Sequence, residues 1–205
     1  MSVALRRLLL VAALLCASLA QGSPPVDDNS IPPSRCTPTA QSQGPNSGVQ
    51  WNDLGGGDVP WVIPENAATS DDVRTTATFV AIDQTSGALA GTQWGFSVPA
   101  AATITGIIVE VERSSLTANV AQDLSIYLTK NGSATVGLNK SVAPLWPTTD
   151  AYQSYGGASD LWGTTWTAAE VNATTFGTLL SAFANDAGTA RIDHVRITVH
   201  YTACP

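Results

Sequence analysis

From His194 to Tyr201 the chain alternates without a break: Val195, Ile197, Val199 and Tyr201 fall on one side, His194, Arg196, Thr198 and His200 on the other. Only an extended strand with one buried face turns a period of two into a sorted surface, because successive side chains point to opposite faces of a sheet. The same period runs through Thr103 to Arg113, where Ile107, Val109 and Val111 oppose Ile108, Glu110 and Glu112. It recurs at Leu124, Ile126 and Leu128, and shorter candidates lie at Thr75 to Ile82, Ala90 to Phe96 and Thr175 to Ala184. Asn131-Gly132 follows the third of these runs and supplies the backbone freedom of a tight hairpin turn, with Ala134 to Leu138 returning antiparallel. One short helical turn is expected at 168–172, capped by Thr167 with Glu170 as its capping-box partner. Many short strands separated by turns, with no ten-residue helical pattern between them, predict an all-β antiparallel sandwich, jelly-roll-like in order.

The ends of the chain read differently. Arg6-Arg7, an apolar run from Leu8 to Leu15 and small residues at Ser18 and Ala20 form a secretory signal peptide over 1–20. Residues 21–50 are rich in Pro, Ser, Gln and Gly and read as an extended tail, which leaves 51–205 for the sandwich. With 44% hydrophobic and 12% charged residues the chain carries enough apolar surface for a core, which excludes a disordered chain. Leader cleavage removes two of nine basic residues and leaves a net charge of 7 − 16 = −9, a poor match to nucleic acid or anionic lipid. No membrane insertion is expected after cleavage.

Cysteine usage fits export. Cys16 leaves with the leader, and the remaining pair, Cys36 and Cys204, is expected to form a disulfide, within one chain or between two. Three acceptor sequons for N-glycosylation stand at Asn131, Asn139 and Asn172, with Asn131 favoured by its turn.

Catalytic groupings are absent from the pattern. His194 and His200 stand six residues apart on one strand, roughly 20 Å, too far to share a proton or a metal. Glu110 and Glu112 lie side by side on one face, whereas glycosidase carboxylates face each other across a sugar; pairing with Arg191 or Arg196 on a solvated face is expected instead. No enzyme activity and no cofactor are expected. Asp71-Asp72, with Glu65 and Asn66 nearby, offers oxygen ligands for a structural Ca²⁺, though adjacent acids at the entry to a strand are more often turn formers.

The aromatic residues Trp146, Tyr152, Tyr155, Trp162 and Trp166 cluster in one turn-rich segment. Exposed, they would stack on sugars or anchor a partner protein; buried, they would plug one end of the sandwich with their N–H groups on loop carbonyls.

An ordered series of residues carries a resemblance: Asn66-Ala67 with Ser70-Asp71, Gly95-Phe96-Ser97-Val98-Pro99, Ile104 to Arg113, Trp146-Pro147, Tyr155-Gly156-Gly157, Asp160-Leu161-Trp162-Gly163, Trp166 through Asn172, and Phe176-Gly177. In these the chain resembles an uncharacterised β-sandwich module of secreted, cell-surface and phage-associated proteins, over roughly residues 59 to 202. The resemblance implies a displayed structural or binding module and transfers no catalytic residue. Two roles follow. One is an extracellular structural or adhesive subunit, partnering itself or other matrix and surface proteins and assembling through its tail by strand addition. The alternative is a carbohydrate-binding module that uses the loop aromatics on glycans.

Overall fold

The protein is described here by a computed structural model covering residues 36–204. The leader and residues 21–35 of the tail lie outside the described residues. The elements in order are β1 (Thr39–Ser47), β2 (Gln50–Asp53), a 3₁₀ turn (Pro64–Ala67), β3 (Thr75–Phe79), β4 (Leu89–Thr92) and β5 (Thr103–Ser115). β6 (Ala121–Thr129), β7 (Thr135–Val136), β8 (Ala151–Gly157), α1 (Ala168–Asn172), β9 (Gly177–Ala184) and β10 (Gly188–Ala203) follow.

Every pair of these strands is antiparallel. One sheet runs β3-β10-β5-β8 and the other β4-β9-β6-β7, the strand order of an eight-stranded jelly roll. Two further strands extend it. β1 pairs with the distal half of β10, along the edge that β3 occupies lower down, and β2 lies outside β4.

The alternating residues face where their period directs them: Ile107, Val109, Val111, Val195, Ile197, Val199 and Tyr201 are all buried in one core shared by both sheets. Leu124 departs from its period and is exposed, because a register shift between Asp123 and Ser125 inserts an extra residue and turns it outward. Thr167 and Glu170 form the expected capping box on α1. The return strand after Asn131-Gly132 is shorter than the pattern suggests, only Thr135–Val136, since Asn131 Oδ1 accepts the Ser133 and Ala134 N–H groups and builds a wider turn.

The boundary at residue 51 moves. Residues 39–47, read as tail, are strand β1, and Gln50 already belongs to β2. β1 is an edge strand with most side chains in solvent, interrupted by a register shift around Gly44-Pro45, so it lacks apolar alternation. Only its backbone pairing marks it as sheet. Cys36 and Cys204 form a disulfide within the chain, closing the end where Thr39 pairs with Ala203.

Candidate functional site

Four of the five loop aromatics are core residues. Trp146, Tyr155, Trp162 and Trp166 are buried, Trp162 completely, so of the two readings open to them these four take the buried one and form no glycan or partner surface. All six tryptophans of the chain are buried with their Nε1–H groups satisfied: Trp51 donates to the Gly48 carbonyl, Trp61 to Gly87, Trp94 to Gly91, Trp162 to Ile107 and Trp166 to Leu161. Trp162 has room because Gly156, at φ +78, carries no Cβ where the indole lies. Trp146 instead donates to Asp123 Oδ1 at 2.8 Å, while Tyr155 and the Val142 N–H donate to Asp123 Oδ2 at 2.9 and 3.0 Å. Arg113 Nη1 stands 3.2 Å from Asp123 Oδ1, outside hydrogen-bonding geometry, and pairs with it by charge. Burial, and then the Asp123 charge, push the Tyr155 hydroxyl far above the ordinary tyrosine range, so it remains a donor.

Only Tyr152, 36% exposed, reaches the surface, on the outer face of the first sheet. Arg196 stacks on its ring with the guanidinium carbon 4.0 Å from the centroid and forks onto Glu110 at 2.9 and 3.0 Å. The Tyr152 hydroxyl meets His194 Nδ1, and Ser47 Oγ meets His194 Nε2, both at 2.8 Å. Burial lowers the His194 pKa, and Arg196 lowers it further against the opposing pull of Glu112 and Glu110. Glu110 and Arg196 thus answer each other, and His194 is held from both ring nitrogens, while Glu112 Oε2 and His200 Nε2 on the same face are buried without a hydrogen-bond partner among the described residues.

The acid cluster expected around Asp71-Asp72 is arranged differently. Asp71 accepts from Thr69 and the Val73 N–H as a turn former, and Asn66 donates to the Arg74 carbonyl. Asp72 is brought instead to Asp150 and Asp193. Of the three sequons, Asn139 and Asn172 donate their side-chain amides to the carbonyls of Leu124 and Val98, whereas no hydrogen bond engages Asn131 Nδ2 among the described residues.

The open surface feature lies on the second sheet. Trp51 points into the core, so Gln50 and Asn52 on either side of it point out. Register then places Gln50, Thr92, Gly177 and Thr129 in one row across β2, β4, β9 and β6, and Asn52, Ala90, Leu179 and Tyr127 in the next. Gly177 and Ala90 leave the middle of these rows low. Gln93 is held at φ +61 beside them, a left-handed backbone that a glutamine rarely adopts. Asn131 and Gly132 from the β6–β7 turn and Thr174 and Thr175 from the loop before β9 close one side, pinned together by a 2.8 Å bond from Thr175 Oγ1 to the Lys130 carbonyl. The resulting cleft has a volume of about 260 Å³ and is lined by Gln50, Asn52, Ala90, Thr92, Gln93, Asn131, Gly132, Thr174 and Thr175. No lining side chain is charged. Tyr127, half-buried, ends the Asn52 row three strand spacings away, about 14 Å. Apart from Asn131 and Gly132, read as a turn and a sequon, these residues escape the sequence because amides and threonines in short strands look like ordinary solvated sheet; the signal present was the pair of polar residues flanking a buried tryptophan.

No protein-family model matches the chain, and no curated protein matches it in sequence. Among solved structures it is similar to the second N-terminal cellulose-binding domain of Cellulomonas fimi β-1,4-glucanase C, at 12% identity and a TM-score of 0.42, over 80% of this chain and 97% of that one. It is also similar to the CBM22-1 xylan-binding domain of Paenibacillus barcinonensis Xyn10C, at 10% identity and a TM-score of 0.35, over 80% of this chain and 96% of that one. Scores of this size lie below those of chains sharing a detailed fold, so the cleft stands on its own chemistry.

Proposed function

We propose that the protein is an exported, non-enzymatic glycan-binding domain whose binding face is the cleft on the second sheet. The observation that carries this reading is the lining: a trough of four amides and three threonine hydroxyls with Ala90 and Gly132 between them and no charge. Gln93 donates to Gln50 Oε1 and Asn131 Oδ1 accepts within its own turn, which leaves the Asn52 amide and the Gln50 and Asn131 amide N–H groups for vicinal hydroxyls, and an uncharged wall imposes no preference for an ionic ligand. Tyr127 supplies a ring at the far end of the same row for the apolar face of a sugar. The row is long enough for two or three sugar units. An intrachain disulfide and a secretory leader fit an oxidising, extracellular setting. Among the described residues no helix is long and apolar enough to cross a membrane.

The strand-addition route to self-assembly loses part of its material, since residues 39–47 are already paired within their own sheet.

Affinity gel electrophoresis of the mature protein against a panel of neutral polysaccharides tests the reading. Retardation by at least one is expected, weakened about 2- to 12-fold in affinity by Tyr127→Ala from a lost stacking contact. Retardation by none, or retardation indifferent to both Tyr127→Ala and Asn52→Ala, would overturn it.

A further inference from the structure

Asp72, Asp150 and Asp193 reach one point from the loop before β3, the residue before β8 and the bulge of β10, with one carboxylate oxygen from each lying within 4.8 Å of the others. Arg74 answers part of this charge. Its Nε donates to Asp150 Oδ2 at 2.7 Å, its Nη2 to Asp72 Oδ1 at 2.9 Å and also to Asp150, and its Nη1 to the Asp72 carbonyl at 2.7 Å. Ser114 donates to the other Asp150 oxygen at 2.5 Å.

Asp193 is the exception. It is 2% exposed; its Oδ2 accepts the Asp72 N–H at 3.2 Å, and its Oδ1 is buried with no partner. A buried carboxylate oxygen lacking any donor or cation is costly to keep, and native structures rarely keep one without a reason. The local charge points the same way. Three carboxylates against one guanidinium sum to 1 − 3 = −2.

We infer that Asp193, Asp72 and Asp150 form a binding site for one hard divalent cation of the Ca²⁺ type. The donor set is all oxygen, which suits Ca²⁺ and excludes the sulfur and imidazole donors that select zinc or copper. Bound there, the ion neutralises the residual charge, gives the orphaned Asp193 oxygen its partner, and ties the loop before β3 to β8 and β10. The site lies on the first sheet and is independent of the glycan cleft.

The test uses mature, disulfide-intact protein stripped with chelator, titrated with CaCl₂ and with MgCl₂ by calorimetry and followed by thermal unfolding. One Ca²⁺ per chain is expected, with the unfolding midpoint rising roughly 5–10 °C at a calcium concentration about 100 times Kd. Asp193→Asn keeps the shape and removes the ligand charge. Asp72→Ala alters a side chain that is 88% exposed and tolerates change. Each is expected to abolish the calcium response, while Asp83→Ala, outside the cluster, leaves it intact. Absence of binding heat and of any midpoint shift up to millimolar calcium or magnesium, or a calcium response that survives both variants, would overturn the assignment.

Discussion

Replacing Asp123 separates the two roles the aromatic segment could play. The Asp123 side chain is fully buried and Arg113 is 3% exposed, so Asp123→Ala strands a buried guanidinium together with the Trp146, Tyr155 and Val142 donors. Breaking a buried ion pair by removing one partner costs about 3–5 kcal/mol. In a domain of this size each kcal/mol moves the midpoint by about 2–4 °C, so a fall of roughly 6–20 °C is expected. Tyr155→Phe removes one hydrogen bond to a charged acceptor, worth about 1.5–3 kcal/mol, and lowers the midpoint by roughly 3–12 °C. The double variant Asp123→Leu with Arg113→Met removes both charges and is expected to be less destabilised than Asp123→Ala alone. Calorimetry measures the midpoints, and affinity electrophoresis well below them measures glycan retention, which all three variants are expected to keep. A Tyr155→Phe protein with an unchanged midpoint and no retention would refute the core assignment and return the ring to a ligand.

Cys36→Ser with Cys204→Ser opens a loop whose closure is worth up to about 5 kcal/mol in the chain-entropy model, with fraying of the exposed β1 edge reducing the loss; reduction in a thermal scan should lower the midpoint and β1 amides should exchange first. His194 has a folded pKa below its unfolded value, so its contribution is complete above about pH 6.5 and is lost as pH falls through the folded pKa; midpoints measured between pH 7.5 and 5 should drop, and His194→Gln should flatten that slope. Expression through a eukaryotic secretory route should place N-glycan on Asn131 in preference to Asn172, whose amide is bonded to Val98 in both directions, and peptide mapping reads this directly. An Asn131 glycan at the cleft wall should weaken polysaccharide retention, and Asn131→Gln should restore it.

Much of the sandwich is legible in its alternation because β5 and β10, the longest strands, each bury one apolar face against the core and carry polar, largely half-buried side chains on the other. The capping box at Thr167 is equally local and equally readable, whereas the Glu110–Arg196 pair joins two strands through their register, and the sequence leaves Arg191 and Arg196 both open as its partner. What escapes is whatever rests on backbone pairing or on register. β1 has no buried face to write into its sequence, and the extra residue at Asp123–Ser125 reverses Leu124 without any turn residue to announce it. The aromatic segment shows a different limit. Composition gives five rings among turn residues, but whether a ring faces solvent depends on what stands opposite: Gly156 makes room for Trp162, and Asp123 waits for Trp146 and Tyr155 from a strand more than twenty residues earlier. The cleft is hardest to read, since its lining comes from four separated segments and none of its residue types is unusual alone.

Ligand binding on the second sheet is tested most directly by an amide and side-chain NMR titration with an oligosaccharide of whichever polysaccharide retains the protein. Shifts concentrated at Gln50, Asn52, Thr92, Gln93, Tyr127 and Thr175, with Tyr152, His194 and Arg196 unmoved, are the predicted result. Shifts concentrated on the Tyr152 face of the first sheet, with the cleft unmoved, would contradict it.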